Sequence, residues 1–330
     1  MPSHCNIRIM IVITPKYYKN FKCIAGECPD SCCQGWEVDA DEESLEYYKI
    51  LPNSLEIKRR IDSVLDKDEF DNTIFRLAPK KRCPFLNDEN LCDMHIAIGG
   101  EHTPITCRNF PRFIYDFGGT REIGISFSCP VAADLIYHSE ESLDFDTEIN
   151  GELPTLNDID AELFIKIKQA REKAFKIVHN PEKPLNKRLS ELLEYSQELQ
   201  KSLYAYEEGG EDISFKEVFC NPELINPEWL EKVNNITVKS VNNSLSNENI
   251  ASYFIYKYFL QSVYDRDVLS KAKMAVIGVL INTYMGEGSW TIHLWSKETE
   301  HSQYNMDRYK QLLKNANCLT CEILINMINC

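Results

Sequence analysis

Residues 23–33 read CIAGECPDSCC, a C-x4-C-x3-C-C run that places Cys23, Cys28, Cys32 and Cys33 within eleven positions, with Trp36 close behind. Gly26, Pro29 and Gly35 break any helical or strand period across it, so the stretch is a ligand loop rather than a regular element. Four more cysteines follow before residue 130, each in its own short motif: Cys83 in CPFL, Cys92 in LC, Cys107 in CRNFPR and Cys129 in SCP. Eight of the chain's 13 cysteines thus fall in one segment of about a hundred residues. The total is odd and no secretory leader is recognisable, so in a reducing compartment these thiols read as metal ligands rather than as disulfide staples. Cys5, Cys220 and Cys330 stand apart and are expected to be ordinary thiols.

Working outward, 330 residues with 43% hydrophobic content suggest two soluble domains. The apolar run Ile7–Ile13 is far shorter than the roughly 20 residues of a membrane span and lacks the flanks of a signal peptide. A first strand and a cytoplasmic protein, with no membrane partner, are therefore expected. The net charge of −15 is concentrated after residue 130, where 20 Lys+Arg face 31 Asp+Glu against 16 and 20 before it. That sign argues against nucleic acid, whose phosphates attract basic surfaces.

Helices are expected over residues 41–50 and 54–65, a short strand over 73–77, a turn at 87–90 and a helical turn over 94–98. A hairpin should pair 110–115 with 122–127 across Gly118-Gly119, followed by a helix over 131–138. Residues 139–158, acidic with Gly151 and Pro154, read as a linker. Beyond it, helices are expected over 159–178, 185–206, 250–264, 268–284, 297–315 and 318–330, with an Asn/Ser-rich loop over 234–249. The fold class is α+β, mostly α. A cysteine-rich metal-binding domain with little strand (1–138) is expected to precede a helical domain (159–330).

Thiolates select zinc or iron–sulfur clusters over calcium or magnesium. Paired C-x2-C knuckles are missing from the N-terminal segment, and Cys318-x2-Cys321 has no matching pair. A 4Fe–4S cluster on four thiolates is therefore favoured over structural zinc, which stays open. Neighbouring side chains project differently, so Cys32 and Cys33 are expected not to share one iron. Trp36 and Phe110 are expected to screen the metal from water. His95 and His102 could join Cys92 and Cys107 in a mixed site, although histidines beside turns more often do other work.

The order FKCIAGECPDSCCQGWEV, CPFLNDENLC, CRNFPR and SFSCP resembles the flagellin lysine-N-methylase family and the wider group of zinc- or iron-chelating domains with a CC pair followed by CRxFP. LWSKETEHSQYN at 294–305 fits the same family, with Glu300-His301 at its recurrent Glu-His. The resemblance is close over 14–135 and loose over the C-terminal helices. It implies transfer of a methyl group from S-adenosylmethionine to lysine ε-amino groups of flagellin, with the metal held by Cys23, Cys28, Cys32, Cys33, Cys83, Cys92, Cys107 and Cys129. Glu300 and His301 are candidates for proton removal and donor positioning, because only a neutral amine attacks a methyl donor. Arg108 and Arg112 are candidates to hold the donor's carboxylate, or an internal one.

Nothing in the residues themselves shows a donor site. The glycine cluster MGEGSW at 285–290 has the wrong spacing for a nucleotide-binding turn and reads as a helix end. The C-x3-C-x2-C signature of radical chemistry fails at Gly35. Two rival readings remain: a non-catalytic metal-binding interaction module, and a redox or metal-transfer protein using the CC pair.

Overall fold

A computed structural model describes residues 10–68, 71–150, 159–221 and 223–330. Strand β1 (Met10–Pro15) opens it. The expected ligand loop follows, carrying 3-10 turns at Lys16–Asn20 and Ala25–Glu27. Helix α1 (Glu42–Ile50) begins where the Asp41 carboxylate accepts the Ser44 N–H at 3.0 Å, satisfying one of the donors a helix start leaves open. Helix α2 (Glu56–Val64) turns Ile57 and Ile61 inward. The strands β2 (Leu65–Lys67) and β3 (Thr73–Phe75) form a small antiparallel ribbon. Helices α3 (Asp93–Ile98) and α4 (Ile105–Asn109) are short. The hairpin comprises β4 (Arg112–Phe117) and β5 (Thr120–Ile125), reversing at Gly118 with φ 61°, a conformation that suits glycine. Its strands reach closer to the turn than expected. Helix α5 (Pro130–Tyr137) follows.

Strand β6 (Phe145–Asn150) corrects the expected linker. It pairs antiparallel with β1 from Met10↔Asn150 to Pro15↔Phe145, completing a sheet of order β4-β5-β1-β6 in which β1 and β5 are parallel. It is an edge strand, half-buried at Phe145 and Asp146 and exposed from Thr147 to Asn150. Gly151 and Pro154 lie outside the described residues.

Helices dominate the rest: α6 (Ala161–Val178), α7 (Leu185–Leu203), α8 (Phe215–Val218), α9 (Pro227–Asn234), α10 (Leu245–Tyr258), α11 (Ser262–Asp265), α12 (Val268–Tyr284), α13 (Ser289–Glu300), α14 (Gln303–Asn315) and α15 (Cys321–Ile328). At two boundaries a serine cap moves a helix end from where it is expected. Ser244 accepts the Asn247 N–H at 3.2 Å and starts α10 inside the supposed loop. Ser302 accepts the Asn305 N–H at 3.1 Å, so the helix expected over 297–315 breaks at His301. MGEG at 285–288 is the turn between α12 and α13, as its composition suggests, and Ser289 opens α13.

The chain forms two compact units, which divide it differently from a cut at 139–158. One comprises residues 22–113 and 129–131. Its core gathers Val38, Tyr48, Ile57, Ile61, Phe75, Phe85 and Met94 around buried Cys83. Of the described residues, the other takes 10–21, 114–128 and those from 132 onward, because the sheet draws β1 and β5 to the helices. In this larger unit Tyr256 of α10 bonds the carbonyls of Ile13 and Ile123 at 3.2 and 3.1 Å, fixing two strands at once. Arg171 of α6 meets Glu122 of β5 through two bonds of 2.7 and 2.5 Å, both side chains buried. Among the described residues no helix is long and apolar enough to cross a membrane.

Helices α10 and α12 approach closely at Gly278, where a Cβ would lie 2.8 Å from the Phe254 ring. Gly278→Val should cost about 1–3 kcal/mol by overpacking, read as a lower urea midpoint; an unchanged midpoint would mean that α10 yields freely. Glu122→Gln should cost about 3–5 kcal/mol by stranding the Arg171 charge.

Candidate functional site

In the smaller unit, residues 33–35 run antiparallel to 81–83. The Cys83 N–H donates to the Cys33 carbonyl at 2.8 Å, the Gly35 N–H to Lys81 at 2.9 Å, and Gln34 lies opposite Arg82. Gly35 takes φ 103°, which lets the loop leave this ladder. The Trp36 indole N–H donates to the Cys32 carbonyl at 2.9 Å, and its ring centre lies 6.4 Å from that of Phe110. These aromatics flank the cysteine loop as a packed pair.

The turn between CPFL and LC is built around Asn87. Its side-chain oxygen accepts the N–H groups of Glu89 and Leu91 at 3.0 and 2.9 Å, and its amide donates to Asp93 at 2.9 Å. Arg60 joins at 2.6 Å to Asp93 and also bonds the Pro84 carbonyl, so α2 clamps both ends of the turn. Cys92 then caps α3, its sulfur 3.4 Å from the His95 N–H. Asp41 carries a second link: the carboxylate that caps α1 also accepts the Ile105 N–H at 2.6 Å, placing α4 and Cys107. These bonds, with Ser44, hold Asp41 below the usual carboxylate range against the upward push of burial.

Through these bonds the chain brings thiols together around Cys33. The influence of Cys33 is felt at both Cys32 and Cys83, and the charges of Cys23 and Cys107 are also felt at Cys32. Cys92 and Cys107 lie within electrostatic reach of Cys33. Cys28 donates to the Asp30 carbonyl at 3.2 Å, and buried Cys129 belongs to the same unit. Among the described residues no three His, Cys, Asp or Glu side chains close on one point as a metal would require, and no disulfide joins the cysteines.

The thiols' electrostatics are those of a donor set lacking a cation. The bond to Cys33, then burial, pushes Cys32 and Cys83 up; burial pushes Cys92 up; burial, then Cys33 and Cys92, pushes Cys107 up to about 12. Such groups stay protonated near neutrality unless a positive ion compensates them. Thiols are soft donors, so a soft metal suits their chemistry once their protons are lost. Arg108 donates to the Glu101 carbonyl at 2.5 Å and faces Glu43 at 3.5 Å, the internal alternative considered for it, while Arg112 starts β4 on an exposed position. His102 stacks on Tyr47 at 3.7 Å. His95 is exposed.

Glu300 and His301 lie in the larger unit. Glu300 pairs with Lys257, with 10% and 6% of the two side chains exposed. It accepts Ser126 Oγ at 2.6 Å and Tyr258 Oη at 2.8 Å. The Lys257 ammonium also reaches Ser126 at 3.2 Å and stands 5.7 and 5.3 Å from the ring centres of Tyr253 and Tyr258. Burial pushes Glu300 up, but Lys257, Ser126 and Tyr258 together hold it below the usual carboxylate range. A carboxylate so placed is a weak proton acceptor. Lys257, Ser126, Tyr253 and Tyr258 were missed in the sequence. The signal was a lone lysine inside the apolar run IASYFIYKYFL, since a charge buried in a helix must bring a partner.

No family model matches the chain. No solved structure matches it either. A stretch of 135 residues, 40% of this chain, is 23% identical to the flagellar biosynthetic protein FliU of Salmonella muenchen and covers 80% of that protein. The chain is likewise similar to the lysine-N-methylases of Salmonella choleraesuis and Salmonella typhimurium, 23% identical over 135 residues. It spans 34% of the length of each of those two.

His301 ends α13 and is depressed to about 3, first by burial and then by Lys297. The unfolded chain therefore binds a proton near pH 6.5 that the folded chain refuses. This contribution to stability is complete above pH 6.5 and is lost as pH falls towards 3. His301→Gln should flatten that part of the decline in urea midpoint with pH; parallel wild-type and variant curves would show that His301 does not titrate this way.

Proposed function

We propose that the chain is a cytoplasmic protein-lysine N-methyltransferase acting on flagellin, with S-adenosylmethionine as methyl donor and a cysteine-ligated metal centre. The observation that carries this reading is the similarity to proteins named lysine-N-methylase, joined by the flagellar name of the third relative. The clustering of thiols from four separate segments around Cys33 supports the metal part.

Cys23, Cys32, Cys33, Cys83, Cys92 and Cys107 are the residues that would hold the metal, with Cys28 and Cys129 available in the same unit. Bound there, an iron–sulfur cluster or zinc would supply positive charge that keeps the thiols deprotonated and ties their loops together. On the protein side, the reaction needs a substrate lysine stripped of its proton, since an ammonium ion has no lone pair for the donor methyl. Lys257 and Glu300 would act there as positioning groups, by fixing α10 against α13.

A second reading is a non-catalytic metal-binding interaction module. It is favoured by one observation: Glu300 is fully engaged by its own chain.

Lysine methylation of flagellin, read by mass spectrometry, should disappear when the gene is deleted and return with it; unchanged methylation ends the enzyme reading. Protein purified without oxygen should contain iron and acid-labile sulfide in equal amounts, about four of each for a 4Fe–4S cluster. Zinc without sulfide would move the metal to a structural role and favour the module.

A further inference from the structure

Among the described residues β6 is an edge of the sheet, paired with β1 alone. Its register settles which backbone groups the ladder uses. The Lys16 N–H donates to the Asp144 carbonyl at 2.9 Å, one step beyond the Pro15↔Phe145 pair. Residues opposite one another in an antiparallel ladder alternate between bonding each other and bonding outward. Asp146, Glu148 and Asn150 therefore direct their backbone groups to β1, while Phe145, Thr147 and Ile149 direct theirs to the outer edge. The same alternation shows in β1, where the Ile11 N–H turns away from Ile149 and donates to the Gly119 carbonyl at 2.8 Å. The outer row begins with an engaged donor, the Phe145 N–H, which the Asp144 carboxylate accepts at 2.8 Å. Thr147 and Ile149 continue that row and are exposed.

Side chains along this edge alternate as well. The Phe145 ring packs against those of Phe175 and Tyr256, with centres 5.8 and 4.9 Å apart, so Phe145, Thr147 and Ile149 share the face that meets the helices. At its far end that face is apolar and open: Ile149 is 76% exposed, and Ile11 opposite it 38%. Asp146 and Glu148 lie on the other face. Lysines of the chain itself already meet carboxylates along this strand, Lys16 at Asp144 and Lys19 at Asp146, the latter at 3.6 Å. Glu148 is exposed beyond them.

We propose that the outer edge of β6 is a docking strand for an extended, lysine-bearing segment of the protein substrate. Thr147 and Ile149 supply main-chain hydrogen bonds, as an open strand edge does for an added strand. Residues opposite one another share a face, so Ile149 and Ile11 receive an apolar side chain while Glu148 and Asp146 receive lysines. The segment recognised thus alternates apolar residue and lysine. A second copy of this chain is the wrong occupant, because two β6 edges would set Asp146 and Glu148 beside carboxylates of the same sign. That the segment belongs to a substrate rests on the methyltransferase reading; the pairing rests on the strand alone.

The test uses the full chain and a short, end-capped peptide alternating valine and lysine, with a valine–glutamate peptide for comparison. Amide hydrogen exchange is read residue by residue with and without each peptide. The lysine peptide should slow exchange at Thr147 and Ile149 about tenfold and leave Glu148, already in the ladder, unchanged; the glutamate peptide should slow neither. Thr147→Pro removes an outward donor and no bond to β1, and should weaken binding of the lysine peptide about tenfold. Glu148→Gln should weaken it more at low salt than at high. Unslowed exchange at Thr147 and Ile149, or equal slowing by both peptides, overturns the proposal, and because that reading uses the unaltered protein, a misfolded variant does not obscure it. A protected edge in a protein whose gene deletion leaves flagellin methylation unchanged keeps the docking strand and removes its substrate. Normal flagellin methylation by a Thr147→Pro protein that no longer binds the peptide does the reverse: the enzyme reading stands and substrate docking on β6 falls.

Discussion

Charge buried away from water has to carry its partner with it, and this constraint organises the larger unit. Arg171 on α6 is tolerable inside only because Glu122 on β5 faces it with both oxygens. Lys257 on α10 needs Glu300 at the end of α13, while Ser126 and Tyr258 satisfy the rest of that carboxylate. Each pair joins elements distant in sequence, so each selects one way of laying helices on the sheet. Hydrophobic burial alone would accept several arrangements of helices as apolar as α10 and α12.

The smaller unit obeys a different economy. Its ribbon is three residues long on each strand, and its helices are short. Placement falls to individual polar groups: Asp41 caps one helix while holding the start of another, Asn87 forms a turn, and Arg60 clamps both ends of it. A loop held by so few bonds can bring thiols close without closing them on a point, which is the condition in which a metal would add most to the order of the unit.

Much of this was legible in the sequence. Helices α1, α2, α6, α7 and α12 follow from apolar periodicity and acidic or proline starts, and the Asn87–Asn90 turn follows from its composition. The gathering of cysteines into one segment gave the candidate centre. Boundaries set by a single serine, at Ser244 and Ser302, were misjudged because an Asn/Ser-rich stretch reads equally well as loop or cap. Residues 145–150 were misjudged because a largely exposed edge strand has the acidic composition of a linker.

By itself, then, the sequence determined the mostly helical class and the N-terminal concentration of thiols, since these depend on local pattern and composition. Tertiary structure alone decided that β1 leaves the cysteine segment to join β5 and β6, that Cys33 faces Cys83, and that Lys257 holds Glu300. Those are pairings between residues far apart along the chain. Hydrogen bonds across a ladder and charges in a core specify their partners by geometry, and no periodicity in either partner's neighbourhood carries that information.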